Sequence, residues 1–323
     1  MALFKRTKSD PPVETPVVEV ETLPMDPPAT VGGLRDFWQH WDYLLGMVDP
    51  LTEFGVPVLD AVGLTLNESI LAPTDVDAET RRGDVVISEG TRVTPRMLAL
   101  LIGLGIDKVM ARPSPRVVIM PLTQASAPAS YLVAAQAKDA GAQAHHVVTA
   151  LDPTVSVVAA IKEQLVRADL IVTLGGLGEA ELDLRSVADQ LGPNDFTPVA
   201  ISPGKDHGFI LAEGQIPLLA LPGDTYSAFV LTKLIIEPMV AKLMGANTDP
   251  ELFSAYLAQP LRVTPRMLTC VPATVKDARM SVTGRPTGLV GLKTIYEANA
   301  LAVLATDDGL VDSDGEAFYL PLR

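Results

Sequence analysis

Apolar and polar positions fall into three successive patterns along this chain. Between residues 34 and 47, Leu34, Phe37, Trp38, Trp41, Leu44 and Leu45 recur every three or four positions, which predicts an amphipathic helix. Leu59, Val62, Leu66 and Ile70 carry that spacing into a second short helix over 60–70, ended by Pro73. Thr94-Pro95 reads as a cap followed by proline at the first helical position, opening a helix that Gly105 stops. From residue 113 the pattern changes. Short apolar runs at 117–120, 143–148, 170–174, 196–201, 208–212 and 218–221 predict strands, and the segments 127–140, 153–167, 180–191 and 224–244 predict helices. This alternation implies a mainly parallel sheet with right-handed crossovers. After residue 250 only short strands remain, at 261–263, 268–271, 289–291, 302–305 and 317–320, separated by Gly, Pro and Asp turns.

The first 30 residues stand outside all three patterns. Pro11, Pro12, Pro16, Pro24, Pro27 and Pro28 interrupt any helix, so residues 1–32 are expected to form a disordered, proline-rich tail. The domains expected after it are a helical and linker segment over 33–112, an α/β domain over 113–246 and a β domain over 247–323.

Composition narrows the function classes. A formal charge of −14 argues against nucleic acid and against an anionic membrane surface, both of which need a basic face. No apolar run reaches membrane-spanning length, and the basic start Met1–Lys8 has no apolar stretch behind it, so the cytoplasm is the expected location. With Cys270 as the one cysteine, neither an internal disulfide nor a Cys₂His₂ zinc site can form. His40, His145, His146 and His207 are too scattered to predict a ligand cluster by spacing.

The chemistry concentrates in Leu170-Ile171-Val172-Thr173-Leu174-Gly175-Gly176-Leu177-Gly178, which reads as a buried strand running into a glycine turn. Glycines at 175, 176 and 178 allow a sharp turn and a close approach to a ligand. A helix after them would offer its N-terminus to an anion, and would carry Asp183 one to two turns in. Ligands of open α/β sheets collect at such strand ends. Neither Gly-x-x-x-x-Gly-Lys-Ser/Thr nor Gly-x-Gly-x-x-Gly occurs, so Walker A and dinucleotide loops are excluded.

Further on, Pro203-Gly204-Lys205 and Leu221-Pro222-Gly223-Asp224-Thr225 follow in order. Together with the glycine turn, they resemble the molybdenum-cofactor domain shared by the MogA, MoeA and gephyrin proteins. Val58 to Ile70, Gly90-Thr91-Arg92-Val93 and Gly103-Leu104-Gly105-Ile106 resemble the first part of MoeA, and Gly315-Glu316 before the last strand resembles its fourth domain. The resemblance implies a three-layer molybdopterin-binding α/β fold with an N-terminal helical segment and a small C-terminal β domain. It implies a homodimer, and molybdopterin or adenylylated molybdopterin as ligand, with Mg. Gly175, Gly176, Gly178, Asp183, Gly204, Lys205, Gly223 and Asp224 would line the pocket, Asp183 and Asp224 would hold the metal, and a side chain at Gly176 would block the ligand.

The chain also departs from that family. Where the family carries a Thr-Gly-Asp-Glu-type turn, this sequence has Pro121-Leu122-Thr123-Gln124-Ala125. Leu177-Gly178-Glu179 replaces the serine-glycine part of the glycine turn, and Asp206 replaces the last proline of Pro-Gly-Lys-Pro. Between Val76 and Gly83 there is no room for the family's all-β second domain. These losses point to a pseudoenzyme with impaired or lost molybdate insertion and no assigned catalytic residue. The competing reading is a non-catalytic, gephyrin-like dimeric scaffold that holds a partner protein's tail, from a cytoskeletal or division protein, in the cleft between the α/β and C-terminal domains. Trp38, Trp41 and the first helices are expected to supply the dimer interface.

Overall fold

The computed structural model describes residues 22–76, 80–148, 156–178, 182–283 and 291–322. The first helix, α1 (Phe37–Gly46), starts where Asp36 accepts a hydrogen bond from the Gln39 N–H. Phe37, Trp41, Leu44 and Leu45 share its buried face. Residues 22–30, assigned to the tail by sequence, lie against the molecule: Leu23 packs on the main core, and Asp26 pairs with Arg35.

The next unit is mostly β rather than helical. Strands β1 (Phe54–Pro57) and β2 (Thr65–Leu66) flank β5 (Lys108–Arg112), while β3 (Ile70–Leu71) pairs with β4 (Val85–Ile87). The helix expected over 60–70 is therefore absent; one 3₁₀ turn, Val58–Ala61, precedes Gly63 at φ +88°. Leu66 and Ile70 are buried, but from strands whose side chains alternate, a period that four apolar residues at i, i+3, i+4 spacing could not reveal. At the place where the resembling family inserts a domain, the Gly83 N–H donates to the Ala72 carbonyl and the Ala72 N–H donates to the Asp84 carbonyl, pairing the chain on either side. The helix after Thr94-Pro95 forms as expected, α2 (Pro95–Gly103).

The α/β domain keeps the predicted alternation of strands and helices, except that residues 196–200 form no strand and residues 182–191 form no α-helix. Strands β6 (Arg116–Pro121), β7 (Gln143–His146), β8 (Leu170–Leu174), β9 (Asn194–Asp195), β11 (Gly208–Ala212) and β12 (Ile216–Leu221) form one sheet in the order β7-β6-β8-β12-β11-β9. The first four run parallel; β11 is antiparallel to β12, and β9 is antiparallel to β11. A short strand, β10 (Ile201–Ser202), leaves this domain for the C-terminal one. Alternation sends Val117, Ile119, Leu170, Val172, Leu219 and Leu221 into one core, while Val118, Met120, Ile171, Leu218 and Ala220 enter the other. The first core is covered by α3 (Ala127–Asp139), α5 (Thr225–Leu231) and α6 (Glu237–Leu243); the second packs against α4 (Val157–Leu165). The long helix expected over 224–244 forms with one π turn, Thr232–Ile236, between α5 and α6. The predicted helix start at Asp152-Pro153 lies outside the described residues.

Strands β13 (Phe253–Leu257), β15 (Leu268–Lys276), β16 (Arg279–Val282), β17 (Ala300–Leu304) and β19 (Glu316–Pro321) close into a small barrel through the pairings β15–β16–β13–β19–β17–β15, and β10 joins its rim. The pair β14 (Leu261–Arg262) and β18 (Leu310–Val311) sits beside it. A helix not anticipated from sequence, α7 (Leu292–Glu297), follows Gly291. Most of the strand expected at 289–291 lies outside the described residues. The fold class read from sequence, a three-layer α/β domain with a small C-terminal β domain, is the fold observed, whereas the N-terminal segment expected to be helical is mostly β after α1.

Candidate functional site

Two parallel neighbours, β8 and β12, end side by side, with Leu174 opposite Leu221. Gly175 follows one strand and Pro222-Gly223-Asp224 the other. The two glycines touch: a Cβ on Gly223 would lie 3.1 Å from the Gly175 Cα. The Gly175 N–H is used by the sheet, donating 3.0 Å to the Leu221 carbonyl, so it cannot also hold a phosphate as the sequence reading supposed. Beneath it Ser126, just after the segment that replaces the family's first turn, donates 2.8 Å to the Leu174 carbonyl.

The rest of the glycine turn closes on itself. Gly175, Gly176 and Gly178 all have positive φ, as a sharp turn requires. Leu184 donates its N–H back to the Gly176 carbonyl. Instead of the helix expected over 180–191, two 3₁₀ turns form, Leu184–Ser186 and Ala188–Gln190. Asp183 caps the first, so it does not sit inside a helix. Its carboxylate is held by Arg185 through Nε at 2.8 Å and NH2 at 2.7 Å. That side-chain hydrogen bond, with N–H groups of Arg185 and Gly178, holds the Asp183 carboxyl below the usual carboxylate range. A Cβ at Gly176 would press on Leu122 and Leu182 at 3.1–3.2 Å, so a side chain there disturbs packing before it meets any ligand.

Four other predicted residues do converge. Gly204, Lys205, Gly223 and Asp224, with Leu177, Asp206, Pro222 and Ser227, line a pocket of about 300 Å³ at the strand ends. Asp224 caps α5, accepting 2.8 Å from the Ser227 N–H. Lys205 is exposed, with its Nζ 3.8 Å from Asp206. The pocket therefore offers an ammonium and two carboxylates on backbone held by glycines. Lys205 suits a phosphate, and Asp206 with Asp224 suit a divalent cation bridging to it. Of the predicted metal pair, Asp224 is in this pocket and Asp183 is engaged by Arg185; no group of three metal-ligating side chains occurs among the described residues.

Two of the histidines that lie far apart in sequence come together. His40 on α1 and His207 beside the lysine loop meet with Nε2 atoms 3.0 Å apart, both buried. Arg35 and Asp195 complete this cluster. The one available sequence signal was the position of His207, three residues after Gly204. The tryptophans also differ from expectation. Trp41 is buried within its own chain and donates 2.8 Å to the Leu234 carbonyl, whereas Trp38 stays 37 % exposed.

Residues 122–242 match the family described as "Probable molybdopterin binding domain". The chain is 30 % identical over 183 residues to molybdopterin molybdenumtransferase 1 of Mycobacterium tuberculosis, covering 52 % of this chain and 43 % of that protein. It is 29 % identical over 250 residues to molybdopterin molybdenumtransferase 2 of the same organism, covering 71 % and 60 %. It thus spans about half the length of the curated relatives it matches. A molybdenum cofactor biosynthesis protein from Pyrococcus furiosus shares the fold at TM-score 0.73 and 20 % identity, over 90 % of this chain and 100 % of that one. The molybdopterin biosynthesis moeA protein of Pyrococcus horikoshii OT3 does so at TM-score 0.73 and 14 % identity, with the same coverage.

Proposed function

We propose, from the premise that this chain belongs to the MoeA family, that it binds molybdopterin, or its adenylylated form, and inserts molybdate weakly or not at all. The observation that carries the reading is the pocket formed by Gly204, Lys205, Gly223 and Asp224 at the carboxyl ends of β8 and β12. It lies where ligands of parallel sheets collect, inside the matched domain. Lys205 would pair with the pterin's phosphate. Asp224 and Asp206, rather than Asp183, whose oxygens face Arg185, would hold Mg, which would offset the phosphate's negative charge.

The same geometry supports weak turnover. Thr123, Gln124 and Ala125 supply no carboxylate at the end of β6, and the paired strands β3 and β4 stand where the second domain would cover the cleft. Placing a metal and an oxyanion in one reactive geometry can supply roughly 7–11 kcal/mol of barrier lowering, and little remains here to fix them. Complementation of a strain lacking the MoeA-type enzyme tests this reading. Partial or no recovery of molybdoenzyme activity, with ligand binding retained, is the expected result; full recovery overturns it.

A second reading, the scaffold, is favoured by one feature. A groove of about 430 Å³ runs between α1 and the barrel, lined by Asp36, Trp38, Arg266 and Asp307 among others. An apolar tail bearing a charged group would fit it. In this reading the chain is a homodimer, joined in part through the exposed Trp38. A light-scattering mass near 34 kDa at micromolar concentration would contradict the dimer.

A further inference from the structure

Behind the Gly204–Lys205 loop runs a buried polar file that the proposed binding does not use. Arg35 sends NH1 3.2 Å to His40 Nδ1 and 2.6 Å to Asp195 Oδ2. His40 Nε2 lies 3.0 Å from His207 Nε2, and His207 Nδ1 lies 2.7 Å from the Gly204 carbonyl oxygen. Arg35, His40 and His207 are at most 3 % exposed. At its outer end the Arg35 NH2 donates to Asp26 and its Nε to the Pro27 carbonyl, at 2.6 and 2.9 Å.

The two ends of this file dictate every proton inside it. A guanidinium can only donate, and a carbonyl can only accept. Arg35 donating to Nδ1 leaves that nitrogen of His40 bare, so the neutral ring carries its proton on Nε2. His207 Nε2 must then accept, which puts the His207 proton on Nδ1, where it donates to Gly204. A second proton on either ring would set two donors face to face, at Arg35 or between the rings. Burial of both rings disfavours a charged form as well. The charged and titratable groups around the pair are Arg35 and Tyr43 near α1, Asp26 before it, Asp195 on β9 and Asp206 in the loop.

We infer that Arg35, His40 and His207 form a one-way hydrogen-bond relay that sets the Gly204–Lys205 peptide plane and thereby turns the Lys205 N–H outward to bind an anionic group of the ligand. A trans peptide is planar with its C=O and N–H pointing in opposite directions. Holding the carbonyl on the buried side, against His207, faces the next N–H to the other side, where Lys205 borders the pocket. That N–H has no partner among the described residues. Because Asp26 and Pro27 anchor the far end, docking of the segment before α1 reaches the ligand loop through three side chains. His40 and His207 are positioning residues in this scheme. The anion contact rests on the binding reading above; the relay itself does not.

The test uses the full chain with ¹⁵N-labelled histidine and ¹³C-labelled glycine. At pH 7 the relay requires two neutral rings of opposite tautomer, Nε2–H at His40 and Nδ1–H at His207, with a scalar coupling across the 3.0 Å contact between their Nε2 atoms. Two rings of the same tautomer, or an imidazolium at either site, would overturn it. His207→Leu should shift the Gly204 carbonyl resonance and weaken inorganic pyrophosphate binding about tenfold, the scale of one hydrogen bond to a charged group. His207→Asn, which restores a donor at the Nδ1 position, should recover both within about twofold. An unmoved Gly204 resonance in His207→Leu, or no recovery in His207→Asn, counts against the relay. Absence of pyrophosphate binding in the wild type, with the tautomers as required, would refute the anion contact and leave the relay standing.

Discussion

Two glycine-bearing loops meet at the ends of β8 and β12, and they differ in where their polar groups are spent. The turn after β8 is satisfied from within: Gly175 donates to Leu221, Leu184 donates to Gly176, and Asp183 is clasped by Arg185. The loop at Gly204 is satisfied from behind, by buried His207, and presents Lys205 to the pocket. Both carry glycines in left-handed conformations. The lesson is that a glycine-rich turn shows where a backbone bends sharply, whereas a binding surface needs donors left over once the fold has taken its share.

Glycine substitutions give the largest test of that contrast. At Gly204 (φ +97°) a Cβ would lie 2.8 Å from the buried Leu231 side chain. Gly204→Ala should cost about 2–4 kcal/mol in urea unfolding, combining backbone strain with overpacking. At Gly178 (φ +78°) the Cβ meets only the guanidinium end of the half-exposed Arg185 side chain, so Gly178→Ala should cost only about 1 kcal/mol. Equal costs would break the distinction between a braced loop and a self-closed one.

Acid should act next, through the braced loop. Burial, together with neighbouring His207 and Arg35, lowers the His40 pKa to about 2, and burial lowers that of His207 as well. The unfolded rings take up protons near pH 6.5 while the folded rings do not, so the unfolded state binds more protons below that pH. Stability is therefore complete above about pH 6.5 and falls as pH drops, by about 1.4 kcal/mol per unit through His40, with His207 acting in the same direction. Replacing both rings, as in His40→Leu with His207→Leu, should flatten this dependence between pH 6 and 4. An unchanged slope in unfolding measurements would show that other groups carry it.

The smallest effect belongs to the self-closed turn. Asp183 and Arg185 are partly exposed partners, and such pairs contribute about 0–1 kcal/mol. Asp183→Asn should leave the melting temperature nearly unchanged, and magnesium dependence of ligand binding should survive it. Loss of that dependence would return Asp183 to the metal site.

The sequence made the centre of the α/β domain legible because β6, β8 and β12 are apolar runs buried along nearly their whole length. It misled where short elements compete. At 60–70 the apolar spacing suited a helix, yet Thr65 and Leu66 pair with β5. At 180–191 the residues after the glycine turn form 3₁₀ turns, because Asp183 caps locally and binds a side chain two positions away. Gly204, Lys205, Gly223 and Asp224 were found through motif order. The relay was invisible because 167 residues separate His40 from His207, and only the packing of α1 against the α/β domain brings them into contact.

The central claim is that the ligand is held by the Gly204–Lys205 and Gly223–Asp224 loops and not by the carboxylate of the glycine turn. Its most direct test is an equilibrium titration of molybdopterin, with magnesium present, into the wild type, Lys205→Ala and Asp183→Asn. Saturable binding that weakens roughly ten- to hundredfold in Lys205→Ala and stays within about twofold of wild type in Asp183→Asn is the result expected. No saturable binding by the wild type, or a loss in Asp183→Asn that matches or exceeds that in Lys205→Ala, would contradict it.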